Sequence, residues 1–174
     1  ELTYAELCKI PLPDGSRVPL FSEVLNLVAG RVPLIVEVKH YGGAARIAAE
    51  TLKFLRAYKG PYCVESFDPR AVLYFRKNAP DVIRGQLASG GKWNRSEMNF
   101  ATHIALKYLL VNALGRPHFV AYQAESDGNP SMWLMKRLYR PLFAAWTIRS
   151  QQALDSAREK GYDYPIFERF TPDK

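Results

Sequence analysis

Short apolar runs alternate along this chain with longer amphipathic stretches. Each run is too short for a helix and predicts a strand. The predicted strands cover residues 33–39, 62–67, 82–87, 119–123, 143–148 and 164–167. Strands that alternate with helical patterns are typical of βαβ units and a parallel sheet. The pattern therefore predicts an α/β fold of about six strand-plus-connection units in a single domain, residues 1–174.

The stretches between these runs carry helix start and stop signals. Asp68 followed by Pro69 predicts an N-cap and a first helical position, and Ser150 predicts a second N-cap. Gly161 is placed to end the helix that Ser150 begins, and Ser22 is predicted to cap a short early helix. The predicted helices cover residues 22–28, 43–58, 68–77, 97–110 and 150–160.

Six consecutive units fit two architectures, an open doubly wound sheet or most of a closed TIM barrel. A complete eight-unit barrel takes about 250 residues, with about 200 at the low end. At 174 residues the chain is shorter than that. The pattern alone leaves both architectures open.

Composition excludes several classes of protein. With 48% hydrophobic and 24% charged residues the chain is globular, and no apolar run approaches the length of a membrane-spanning helix. The net charge is +7, but the Lys and Arg residues are scattered, which argues against a nucleic-acid partner. The two cysteines, Cys8 and Cys63, are too few for a disulfide framework, and we expect buried free thiols.

Glu37 and Lys39 are the leading candidates for chemistry. They lie two residues apart at the carboxyl end of the first predicted strand, so they share one face. A carboxylate is a hard oxygen ligand for a divalent cation, and an ammonium neutralises phosphoryl charge. An inward ion pair, or a solvated strand end, is the alternative interpretation of the same spacing.

Other polar and aromatic residues also end the predicted strands. Glu65 and Phe67 share a face, and Gln86 and Gln123 suit either a polar pocket lining or an ordinary strand end. Trp146 is placed either to wall a substrate pocket or to pack in the core.

The three histidines, His40, His103 and His118, lack the spacing of metal ligands. His40 is the one that lies next to Lys39.

Three segments together resemble one family. They are VPLFSEVLNLVAGRVPLIVEVK, VESFDPRAVLYFRKNAPDVIRGQL and FAAWTIRS. In this order they are similar to segments of the glycerophosphodiester phosphodiesterases, TIM barrels of the phosphatidylinositol-phospholipase-C-like type.

The resemblance implies a TIM (β/α)8-type barrel and the roles of four residues. Glu37 would bind a divalent metal, Mg²⁺ or Ca²⁺, and Lys39 would contact the substrate phosphate. Phe67 and Trp146 would form apolar walls around the glycerol or the leaving group. The implied reaction is hydrolysis of a glycerophosphodiester to an alcohol and glycerol 3-phosphate.

The sequence also departs from the family pattern. The His-Arg-Gly strand, the Glu-x-Asp pair and the two catalytic histidines of the family have no counterpart here, so the match corresponds to its third through eighth units. We therefore expect the first two strands to be absent, metal binding to be weak and this chain alone to be inactive. The chain also ends in IFERFTPDK, a milder difference from the family.

A non-catalytic phosphate-binding or scaffold protein derived from the same barrel is the alternative. It predicts a homodimer that covers exposed sheet edges. We expect a cytoplasmic location, and an extracellular one is left open.

Overall fold

Six parallel strands form one sheet in a computed structural model that describes residues 2–39, 43–89, 104, 111–124 and 130–173. The strands are β1 (Leu34–Glu37), β2 (Tyr62–Ser66), β3 (Arg84–Ala88), β4 (Phe119–Gln123), β5 (Leu142–Ile148) and β6 (Tyr164–Phe167). Each strand pairs with the next one along the chain. A doubly wound sheet requires a reversal of strand order, so that alternative is wrong and the sheet is a half-barrel of the predicted type.

Helices connect the strands, and two of the predicted caps are present. The helices are α1 (Tyr4–Leu7), α2 (Phe21–Val28), α3 (Ala44–Ala57), α4 (Pro69–Asn78), α5 (Asn112–Gly115), α6 (Pro130–Leu138) and α7 (Gln151–Glu159). The Asp68 carboxylate accepts a hydrogen bond from the Arg70 N–H at 2.7 Å and caps α4. The Ser150 hydroxyl accepts one from the Ala153 N–H at 3.2 Å and caps α7.

The predicted Ser22 cap is wrong. Helix α2 begins one residue earlier, and Leu20 occupies the N-cap position. The Glu23 carboxylate accepts the Leu20 N–H at 2.8 Å, so a side chain within the first turn satisfies the helix end. The predicted helix over residues 97–110 lies outside the described residues, apart from residue 104.

The main apolar core lies between the sheet and the helices. It forms two clusters, one beneath α3 and α4 and one beneath α7. Their most deeply buried large side chains are Leu55, Phe75, Tyr122, Phe143, Ile148 and Leu154. Cys8 and Cys63 are free thiols, but both are only half-buried, which corrects the expectation of full burial.

A second, smaller core fills part of the concave face of the half-barrel. Leu87, Ala121 and Ala144 are buried there, and four larger side chains pack on them, those of Phe67, Phe119, Trp146 and Ile166. Gly85 makes room for the Phe119 ring, because a Cβ added at Gly85 would lie 2.2 Å from ring atoms. From β3 to β6 the concave face is therefore a packed interior rather than an open channel.

A buried arginine ties the amino end of β3 to the segment that leads into β4. The Arg84 guanidinium donates hydrogen bonds to the carbonyl oxygens of Gly115 at 3.2 Å and Arg116 at 2.9 Å, at the end of α5. The Arg84 N–H donates to His118 Nδ1 at 3.2 Å. Burial, together with the Arg84 charge, lowers the pKa of His118. This end of the sheet is thus structural.

The outer edges of β1 and β6 have no hydrogen-bonded strand among the described residues. The homodimer predicted to cover such edges stays a prediction. In the part of the chain that the structure describes, every helix is too short or too polar to cross a membrane.

Replacing Gly85 should disturb the concave core. In Gly85→Ala the new methyl group overlaps the Phe119 ring, and overpacking of this kind costs about 1 to 3 kcal/mol of unfolding free energy. Urea denaturation measures the loss. Gly43→Ala is the comparison: its Cβ meets nothing closer than 3.7 Å, so its cost should be limited to replacing the N-cap glycine of α3, about 1 kcal/mol or less. Equal stability of Gly85→Ala and the parent would contradict this packing.

Candidate functional site at the carboxyl ends of the first strands

Two carboxylates lie side by side at the carboxyl end of the first strand pair. Glu37 is the last residue of β1, and it lies in register with Glu65 of β2. Their neighbours Val36 and Val64 belong to the outer core. Because side chains alternate between the two faces of a strand, both carboxylates lie on the concave face.

Lys39 follows β1 and joins this site. Its ammonium nitrogen lies 3.4 Å from Oε2 of Glu37, and its side chain is 71% exposed. An ion pair this exposed contributes little to stability, because water screens both charges. The ammonium lies beside the carboxylate and is accessible to a ligand. The spacing had left an ion pair between Glu37 and Lys39 as an alternative interpretation, and that ion pair is present. The roles of the two residues in binding stay predictions.

Glu65 is the residue that the sequence placed at a strand end without assigning it a role. It is only 8% exposed, and its Oε2 has no hydrogen-bond partner among the described residues. Burial, with a contribution from the negative charge of Glu37, raises the pKa of Glu65 to about 7. The sequence signal for this site was a glutamate inside the apolar run YCVESF. A strand pattern, however, does not show which strand ends are buried by other parts of the chain.

Ser66 and Gln86 support the backbone around these carboxylates. The Ser66 hydroxyl donates to the Val38 carbonyl oxygen at 2.6 Å, which ties the chain beyond β1 to β2. The Gln86 amide donates to the carbonyl oxygens of Ser66 at 3.0 Å and Phe67 at 3.1 Å. Gln86 is 1% exposed, so it braces the strand ends and does not line an open pocket.

Phe67 and Trp146 come together across the concave face, although β2 and β5 are not neighbours. Their rings pack edge to face, with centroids 5.6 Å apart and planes at 85°. The indole Nε1 of Trp146 donates to the Ala121 carbonyl oxygen at 2.9 Å, which fixes the ring. Both side chains are half-buried, so they pack in the core and also present a surface. Phe67 lies two residues beyond Glu65, beside the carboxylates.

The remaining candidates do not join this site. His40 and His103 lie outside the described residues, and His118 is at the opposite end of the strands. Gln123 is half-buried and accepts a hydrogen bond from the Ser89 hydroxyl. Among the described residues, no three acidic, histidine or cysteine side chains are grouped so as to hold a metal ion.

Solved structures of glycerophosphodiester phosphodiesterases resemble this chain. One from Parabacteroides distasonis has a TM-score of 0.75 at 16% identity and covers 96% of this chain and 67% of its own length. A Silicibacter pomeroyi protein assigned as a glycerophosphoryl diester phosphodiesterase has a TM-score of 0.72 at 20% identity, over 96% of this chain and 65% of its own. An Oleispira antarctica phosphodiesterase, solved with the product sn-glycerol-3-phosphate, has a TM-score of 0.65 at 16% identity, over 87% and 57%.

These matches support the family resemblance seen in the sequence. Because the sequence identities are low, what the matches establish is the fold alone. The chain spans between 57% and 69% of the length of the six solved structures. No family model and no curated protein matches the sequence.

Neutralising Glu65 should stabilise the protein at alkaline pH. Its pKa rises from 4.5 to about 7 on folding, so the folded state holds the proton more tightly and stability falls as pH rises through that window. In chelator-containing buffer we expect Glu65→Gln to match the parent near pH 4.5 and to exceed it by about 1 to 3 kcal/mol at pH 8. Urea denaturation at both pH values measures the difference.

The control is Glu159→Gln, which removes an exposed carboxylate at the end of α7. It should show no comparable dependence on pH. A Glu65→Gln protein that is less stable than the parent at pH 8 would mean that the ionised carboxylate has a stabilising partner.

Proposed function

We propose that the protein is a metal-dependent phosphoric diester hydrolase that cleaves a glycerophosphodiester to an alcohol and glycerol 3-phosphate. The observation that carries the proposal is the juxtaposition of Glu37 and Lys39 at the carboxyl end of β1. In TIM barrels the active site lies at the carboxyl ends of the strands. A carboxylate and an accessible ammonium at that end suit a substrate whose reacting group is a phosphate with an associated cation.

Lys39 would hold the phosphoryl group. Its ammonium lies 3.4 Å from Glu37 and is mostly exposed, so a phosphate oxygen can approach it without displacing packed atoms. As negative charge builds on the phosphoryl oxygens, a fixed positive charge stabilises the transition state more than the ground state. Lys39 is thus proposed as the residue that contacts the reacting group.

Glu37 would hold the divalent cation. Its carboxylate is a hard oxygen donor at the end of a braced strand, which suits Mg²⁺ or Ca²⁺ better than softer metals. When bound, the cation would polarise the phosphoryl group. Since the described residues contain no cluster of three ligands, we expect this chain alone to bind the cation weakly and to show little activity.

Phe67 and Trp146 would form the apolar side of the substrate site. Phe67 follows Glu65 just beyond β2, and its ring packs on that of Trp146, which the indole hydrogen bond to Ala121 fixes. A rigid aromatic surface next to a charged centre orients a substrate with an apolar and an anionic part. The glycerol carbons or the leaving group would rest against these rings.

The substrate class draws support from the structural neighbours. The Oleispira antarctica phosphodiesterase binds sn-glycerol-3-phosphate, a product of this class of reaction. Its fold matches 87% of this chain with a TM-score of 0.65.

Removing either charge should reduce hydrolysis. We expect Glu37→Gln and Lys39→Ala each to lower kcat/KM for glycerophosphocholine by about 100-fold or more relative to the parent protein, because each removes transition-state stabilisation. Chelation of the metal should reduce the rate similarly. A coupled assay that detects the released glycerol 3-phosphate measures these changes.

Lys59→Ala and Glu159→Gln are the matched controls, and both should retain parental rates. Circular dichroism of each variant separates lost folding from lost chemistry. Turnover that survives chelation, or full activity in Glu37→Gln, would overturn the proposal.

Trimming the aromatic wall should weaken substrate binding more than turnover. We expect Phe67→Leu to raise KM by about 3- to 10-fold with a smaller change in kcat, because the ring contacts the substrate away from the reacting atoms. Steady-state kinetics with glycerophosphocholine measures the split. A change confined to kcat would contradict a wall role for Phe67.

A further inference from the structure

We propose that Glu65 is a second protein ligand of the divalent cation bound by Glu37, an inference that rests on the proposed function. It adds a carboxylate from the neighbouring strand to the site described above. The inference stands on register, on burial and on an unsatisfied oxygen atom.

The register places the two carboxylates on one surface. Glu37 and Glu65 are paired residues of adjacent parallel strands, whose backbones lie about 4.8 Å apart. Both side chains lie on the concave face, because Val36 and Val64, their neighbours in sequence, belong to the outer core. One cation between the two side chains would therefore lie within reach of both carboxylate groups.

Burial without a partner is the second observation. More than nine-tenths of buried polar groups in proteins form hydrogen bonds, and an unpaired buried carboxylate is costly. Glu65 is 8% exposed, and its Oε2 accepts no hydrogen bond within the described part of the chain. The residues beside it do satisfy their own groups, as the bonds from Ser66 and Gln86 show. An orphaned oxygen amid bonded neighbours indicates a ligand that completes it.

The chemistry of the pair favours a hard cation. Ca²⁺ accepts six to eight oxygen ligands and Mg²⁺ six, so each accommodates two carboxylates with positions left for substrate and water. Two negative side chains on one small surface repel each other, and a divalent cation between them removes that repulsion. Lys39 would then be drawn from its pairing with Glu37 toward an incoming phosphate.

A metal-binding measurement tests the inference without relying on turnover. Titration of the protein with Mn²⁺, followed by the electron paramagnetic resonance signal of the free ion, gives Kd directly. We expect Glu65→Gln to weaken binding by about 10-fold or more, an effect comparable to that of Glu37→Gln. Ca²⁺ should displace the bound Mn²⁺ from the parent protein. Glu159→Gln is the control and should bind as the parent does.

Glu65→Asp keeps the charge on a shorter side chain and separates lost metal binding from lost folding. It should bind Mn²⁺ more tightly than Glu65→Gln, although its melting temperature should be no higher than that of Glu65→Gln. An unchanged Kd in Glu65→Gln, with weakened binding in Glu37→Gln, would overturn the inference and leave the proposed function standing. Unchanged binding in both variants would remove Glu37 as well, and thus the metal site of the proposed function. Absence of Mn²⁺ binding to the parent at about 10 mM would overturn the role of Glu65, while the hydrolysis assay decides the function separately.

Discussion

The alternation of side chains across a parallel sheet is the constraint on which this structure depends. Because β1 to β6 pair in chain order, every second residue of each strand is committed to one concave surface. Val36 and Val64 pack against the helical layer on the outer face, so the adjacent Glu37 and Glu65 side chains must lie on the concave face. A slip of β2 by one residue would turn Val64 into the site and place the Glu65 carboxylate in the apolar core.

The concave face is divided into two chemically distinct parts. From β3 to β6 it is filled by apolar side chains, with Gly85 and Ala121 leaving space for large rings. Beside β1 and β2 it carries charge. The Phe67–Trp146 pair lies at the boundary between the two parts. This arrangement places a low-dielectric wall next to charged groups, and such a wall strengthens their interactions with a ligand.

Local signals predicted much of the fold but not the whole site. The spans 119–123 and 164–167 match β4 and β6, and Asp68 and Ser150 cap the helices as expected, because these features depend on neighbours in sequence. Glu65 differs because its burial depends on residues from other elements. The cap of α2 was missed for a local reason, since the Glu23 carboxylate and not the Ser22 hydroxyl bonds the chain at the start of this helix. The pairing of Phe67 with Trp146 required the curvature of the sheet, which no strand pattern contains.

Arg84 gives the two ends of the barrel different tolerances to change. Its guanidinium is held by carbonyl oxygens of the main chain at Gly115 and Arg116, which every amino-acid sequence supplies. The residues around it can therefore vary without loss of these hydrogen bonds, provided that the arginine itself is kept. Its charge also persists at any physiological pH. At the opposite end Ser66 and Gln86 brace the strand ends through main-chain carbonyl oxygens, so the side chains of Glu37, Lys39 and Glu65 can change without loosening the fold.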